Sequence, residues 1–192
     1  MAPRRPAFDP RAILAALQGH RVDYVLIGGL AQVLRGVDHI TDGVDICPSF
    51  GTGNLERLAG AAAELHARRP DGSPVVVSEE ALAAEPVVSL VTDGGVLQVV
   101  ASPEGAPKGY VDLRRAATKE HLGHGVQPLV ASAADLARLA AALHRDQDRA
   151  RLTQLRRVVE LEAGLQPPMA PVAEPVSPRS RRSAARGLRP RR

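Results

Sequence analysis

Val25-Leu26-Ile27-Gly28-Gly29-Leu30-Ala31, then Arg35-Gly36, then Thr41-Asp42-Gly43-Val44-Asp45-Ile46 carries the strongest pattern in the chain. From Val22 to Ile27 the chain is β-branched and apolar, which reads as a buried strand. Gly28-Gly29 follows at once, Leu30 to Arg35 resumes helical spacing, and Gly36 ends it. A strand that enters a helix through two glycines lets the backbone approach a ligand closely. It also presents free N–H groups that suit a phosphate. The same pair equally serves a tight turn that binds nothing. Val44 to Cys47 reads as the next strand.

Outward from this stretch, strands and helices alternate and then a hairpin appears. Asp9 is a good helix N-cap and Pro10 suits the first helical position. Ile13, Leu14 and Leu17 make an apolar stripe that Gly19 stops. Asn54 to Arg68 reads as a helix and Val75 to Val77 as a short strand. Val87–Val91 and Val96–Val100 read as strands joined by Thr92-Asp93-Gly94-Gly95, a hairpin signal. Tyr110 to Lys119 reads as helical and Val126 to Val130 as a short strand. Ser132 caps a helix from Ala133 to Leu143, and a last helix runs from about Asp148 to Glu162. The expected architecture is α/β (α+β), a mixed sheet with helices packed on it. Residues 1–8 form a flexible N-terminus, 9–164 one domain, and 165–192 a disordered Pro/Ser/Arg-rich tail.

Composition excludes several classes of protein. A single cysteine, Cys47, forbids an intramolecular disulfide and reads as a small core residue. No apolar run reaches the roughly 18 residues a membrane span needs, and no apolar segment follows the basic N-terminus as in a secretory signal. A cytoplasmic protein with no membrane partner is expected. Only 2% of residues are aromatic (Phe8, Tyr24, Phe50, Tyr110), which leaves an aliphatic core and makes base stacking unavailable as a binding strategy. The net charge of +4 is uneven: seven Arg against Glu174 give the tail +6, leaving −2 on the other 164 residues. The six histidines lack metal-ligand spacing, and His121 and His124 read as surface-loop residues.

The order of the pieces resembles the minimal nucleotidyltransferases, the polymerase-beta-like fold. Within them it looks most like the AbiEii-type toxins of abortive-infection toxin–antitoxin pairs. The resemblance rests on the strand into Gly28-Gly29 and on Thr41-Asp42-Gly43-Val44-Asp45. It extends to Gly95–Val100 as the strand of a third carboxylate, Tyr110–Ala116 as the segment after it, Val130–Leu136 as the "V-x-S-x-x-D-L" helix start, and His144–Asp148 as the "G-R-x-K-D" junction. It covers roughly Asp9 to Glu162. It implies a nucleotidyltransferase-like sheet, a C-terminal helical pair, Mg²⁺ and a nucleoside triphosphate (NTP) as cofactors, and a cognate antitoxin-like partner. In such a site two strand carboxylates at i and i+2 share one face of the sheet and hold Mg²⁺ on the nucleotide phosphates. A third activates the attacking hydroxyl.

This chain departs from that pattern. The first carboxylate maps to Gly43, the second to Asp45, which is retained, and the third to Gln98. A later helix lysine maps to Ala140, and an arginine before the T-x-D segment maps to His39. Asp42 can replace the first acid if a bulge at Gly43 turns it inward. Asp38 is another candidate, whereas Asp93 lies in the hairpin turn, out of register with Gln98. Read without the family, Asp45 is a carboxylate that caps a helix or pairs with an arginine. Gln98 is then a half-buried side chain satisfied by backbone, and Arg145–Asp148 a pair between the last helices.

Three functions stay open. The first is a catalytically impaired nucleotide-binding or regulatory protein, with Gly28, Gly29 and Asp45 as its pocket, in a toxin–antitoxin or phage-defence setting. The second is an active Mg²⁺-dependent nucleotidyltransferase that moves NMP from an NTP to RNA or protein, with Asp45 and Asp42 as a rearranged acid set. The third is a nonspecific nucleic-acid binder driven by the tail arginines, Arg179, Arg181 and Arg182 among them.

Overall fold

A computed structural model describes residues 7–51, 53–143 and 149–165. The Arg145–Asp148 pairing, His144, the tail beyond Leu165 with Arg179, Arg181 and Arg182, and the first six residues lie outside these.

Helix α1 (Pro10–Gly19) starts as its sequence dictates: the Asp9 carboxylate accepts the Ala12 N–H at 3.1 Å, and Ile13, Leu14 and Leu17 are buried. Phe8, ahead of the expected domain start, packs against the core and covers Gly95. Strand β1 (Tyr24–Ile27) is wholly buried and passes directly into helix α2 (Gly28–Leu34). Strand β2 (Gly43–Pro48) returns antiparallel to β1, pairing Ile27 with Asp45 and Tyr24 with Pro48. Strands β3 (Val87–Thr92) and β4 (Gly95–Val100) form the expected hairpin about Asp93-Gly94, and β4 runs parallel to β2. With β5 (Thr118–Lys119) and β6 (Leu129–Val130), the six-stranded mixed sheet has the order β3-β4-β2-β1-β6-β5.

Helices α3 (Asn54–Glu64), α6 (Ala133–Ala142) and α7 (Arg149–Leu165) complete the main packing. Ser132 caps α6 by accepting the Asp135 N–H at 3.1 Å. α7 packs on α6, buries Leu155, and runs one residue past the expected domain end. The core is aliphatic as composition requires: the largest fully buried side chains are all Leu or Ile. Cys47 is fully buried among them, and its thiol is pushed up to about 12 by burial, so it is inert as a nucleophile. His121 and His124 are exposed in the loop before β6.

Tertiary contacts override local pattern at several places. The helix expected to reach Arg68 stops at Glu64, because Arg68 exchanges two backbone hydrogen bonds with Val91 at the sheet edge (3.0 and 2.8 Å). Val75 and Val77 are half-buried and Val76 exposed, yet this segment joins no strand. Directly after it comes helix α4 (Glu79–Ala84), capped by Ser78, whose Oγ accepts the Ala81 N–H at 3.1 Å. The helix expected over Tyr110–Lys119 ends as α5 (Tyr110–Arg114), and Thr118-Lys119 extends the sheet instead.

Arg35 explains that last change. From the end of α2 its Nε donates to the Ala131 carbonyl at 2.9 Å, Nη1 to Glu120 Oε1 at 2.6 Å, and Nη2 to Thr118 Oγ1 and the Val130 carbonyl, both at 2.8 Å. Its side chain is only 11% exposed. A planar, multi-donor cation therefore ties β5, β6 and the start of α6 to the helix that carries Gly28 and Gly29. Arg35→Ala takes the guanidinium from two carbonyls and leaves Glu120 with the Thr118 hydroxyl alone, and is expected to cost about 3 kcal/mol. Arg69→Ala, which breaks a half-exposed ion pair with Glu85 (2.8 Å), is expected to cost under about 1 kcal/mol. Urea unfolding of both variants checks the contrast, and equal losses would show that Arg35 is not the clamp.

Candidate functional site

The site lies where β1 ends, α2 begins and β2 enters the sheet. Gly28 adopts φ +68°, a left-handed conformation that glycine reaches without steric cost. A Cβ there would sit 1.8 Å from Asp45 Oδ2, so the carboxylate occupies the space a side chain at position 28 would take. The next N–H, that of Gly29, donates to the Asp45 carboxylate. A Cβ on Gly29 would meet His39 Nε2 and Thr41 Oγ1, each at 2.9 Å. The two glycines thus admit Asp45 on one side and His39 with Thr41 on the other. Thr41 folds the entry to β2 by donating from its hydroxyl to the Gly43 carbonyl at 3.1 Å.

Across the sheet, Asp45 stands between Ile27 on β1 and Gln98 on β4. Gln98 in turn stands beside Ser89 on β3, and its Nε2 donates to Ser89 Oγ at 3.5 Å. A hydroxyl, not the expected backbone group, is therefore the partner of Gln98. Ser89 was not singled out from sequence, although counting back from the Asp93-Gly94 turn places it opposite Gln98. Gly43 precedes Asp45 by two and lies beside Val96. Its Cβ would come no nearer than 3.4 Å to the neighbouring strand, so there is room for a side chain.

Asp45 is half-buried. Burial raises its carboxyl above the ordinary carboxylate value; the Gly29 N–H opposes this, and the charge of Asp42 adds to it. Asp42 is exposed, just before β2. Pairing from Gly43 to Ile46 is one to one, so the ladder contains no bulge there. Asp38 is exposed after α2, where its backbone N–H reaches Gln154 of α7 at 3.2 Å. Asp93 receives His66 Nδ1 at 2.7 Å in the hairpin turn. Ala140 is buried on α6.

A two-Mg²⁺ site of the polymerase-beta-like kind does not fit these side chains. Along the relevant face one carboxylate stands between a glycine at i−2 and a glutamine on the neighbouring strand. Among the described residues no three His, Cys, Asp or Glu side chains are grouped to hold a metal ion. An amide oxygen can join a metal shell that is otherwise complete, but it cannot act as a base.

No protein-family model matches the chain, and no curated protein matches it in sequence. Among solved structures, the antibiotic-resistance factor ANT(2'')-Ia aligns with a TM-score of 0.51 at 15% identity, over 80% of this chain and 81% of that one. A Thermotoga maritima protein described as a nucleotidyltransferase, TM1012, aligns with a TM-score of 0.42 at 19% identity, over 81% of this chain and 89% of that one. The chain has a nucleotidyltransferase-like fold, a mixed six-stranded sheet flanked by helices. At such identity the likeness is one of fold.

The raised Asp45 carboxyl has a stability consequence. The native state holds that proton to higher pH than the unfolded chain, so native stability falls as pH rises from about the ordinary value of 3.8 through the higher native value. Asp45→Asn keeps the acceptor for Gly29 and removes the charge. Its stability relative to wild type is expected to increase as pH rises through that range and to plateau above it. Thermal melts across pH 3 to 8 check this, and a difference independent of pH would show that Asp45 ionises freely.

Proposed function

We propose that this protein is a catalytically impaired nucleotidyltransferase-fold protein that binds a nucleotide, or regulates a partner, without transferring an NMP group. The observation that supports this most directly is the row Ile27–Asp45–Gln98–Ser89 across the sheet, with Gly43 two residues before Asp45. Phosphoryl transfer of this kind depends on placing charge-neutralising ions and an activated hydroxyl in line. One carboxylate and one amide supply neither. The Gly28-Gly29 turn, packed against Asp45 on one side and against His39 and Thr41 on the other, is the element proposed to meet the ligand. By the family resemblance, a cognate antitoxin-like partner, a cytoplasmic location and a toxin–antitoxin or phage-defence setting belong to the same proposal.

The competing reading, an active enzyme using Asp42 with Asp45, draws support from the reach of the Asp42 charge to Asp45. Calorimetry on the full chain with each NTP separates the two. Nucleotide affinity is expected to survive chelation of Mg²⁺ in wild type. Gly43→Asp/Gln98→Asp, which rebuilds the acid set on one face, is expected to make binding Mg²⁺-dependent. Mg²⁺-dependent transfer of labelled NMP to RNA or protein by wild type, abolished by Asp42→Ala, would establish the active enzyme instead.

A further inference from the structure

At the other end of β2 from Asp45, where Pro48 pairs with Tyr24, two open clefts of about 380 and 360 Å³ adjoin. They meet at one side chain, Tyr110 at the start of α5, which lines both. Aromatic residues are scarce in this chain, yet three of its four, Tyr24, Phe50 and Tyr110, line this pair of clefts. Composition alone made base stacking unavailable; in the fold Phe50 is exposed and Tyr110 half-buried at these clefts, while Tyr24 is buried beneath them.

Cations stand on both sides of Tyr110. Lys108 lines the first cleft beside Phe50, and Arg114 and Lys119 line the second. The Arg114 guanidinium lies 6.0 Å from the Tyr110 ring centre. Two carboxylates accompany them: Asp23, which lines the second cleft, and Asp112 on α5. Asp23 takes Arg57 Nη2 at 3.0 Å, and Asp112 accepts the Lys108 backbone N–H at 2.9 Å. Phe50 is 40% exposed and Val111, beside it, 55%.

We propose that these joined clefts form a groove for a short single-stranded nucleic acid, separate from the site around Asp45. A ligand that repeats ring and phosphate matches a track that alternates cation, ring and cation; one compact anion would use only one of the two clefts. Bases stack on Phe50 and Tyr110 while phosphates meet Lys108, Arg114 and Lys119. Recognition is tolerant of sequence, because every base offers a π face.

The test uses the full chain with a fluorescein-labelled octathymidylate, read by anisotropy from 50 to 300 mM salt. Lys108→Gln/Lys119→Gln alters two exposed side chains and leaves the arginine-rich tail intact. It is expected to weaken binding about tenfold at low salt and to reduce the log–log salt slope by about 1.4. Phe50→Ala is expected to weaken binding with the slope unchanged. Photo-crosslinking with a 5-iodouracil-containing oligonucleotide is expected to label Phe50 or Tyr110. Unchanged affinity and slope in the lysine variant, or crosslinks confined to residues 166–192, would overturn the groove. Equal affinity for free thymidine monophosphate and the oligomer would overturn it as well.

Discussion

The contact between the Asp45 carboxylate and the backbone of Gly28-Gly29 is the constraint around which the rest of this site is arranged. Any side chain at position 28 would collide with the carboxylate, and the left-handed backbone there favours glycine independently. β1 must therefore end in glycine for β2 to lie beside it with an acid at position 45. The N–H of Gly29 then compensates part of what burial costs the charge. Arg35 secures the far end of the same short helix to β5, β6 and α6, so the glycine turn is held from both sides.

Around that fixed acid, the neighbouring positions have a different chemistry from a metal-dependent transferase. Gly43 offers no ligand, Gln98 turns its amide toward Ser89, and the strand pairing between them is regular. An acid kept in a destabilising place is the sort of local inconsistency that functional sites show.

Much of this was legible in the sequence. Strand-Gly-Gly-helix, the Asp9 and Ser132 caps and the Asp93-Gly94 turn each have a local physical cause, and each formed where expected. The family resemblance had mapped two carboxylate positions onto Asp45 and Gln98, which the fold sets side by side, and Ser89 could have been counted from the turn. What could not be read locally depends on partners distant in sequence. α3 stops early because Arg68 finds Val91, and the α5 segment ends because Arg35 and β6 capture Thr118 and Lys119. Val75 to Val77 has the alternation of a strand but no partner strand. The place of Phe50 and Tyr110 at one cleft was hidden for the same reason: it arises only through the fold.

The most direct measurement of the central claim is anomalous diffraction from crystals of the full chain soaked with Mn²⁺ and a non-hydrolysable NTP analogue. No metal peak is expected within coordination distance of Asp45, whether or not nucleotide density lies against Gly28 and Gly29. A pair of metal peaks bridged by Asp42 and Asp45 would contradict an impaired site and support an active one.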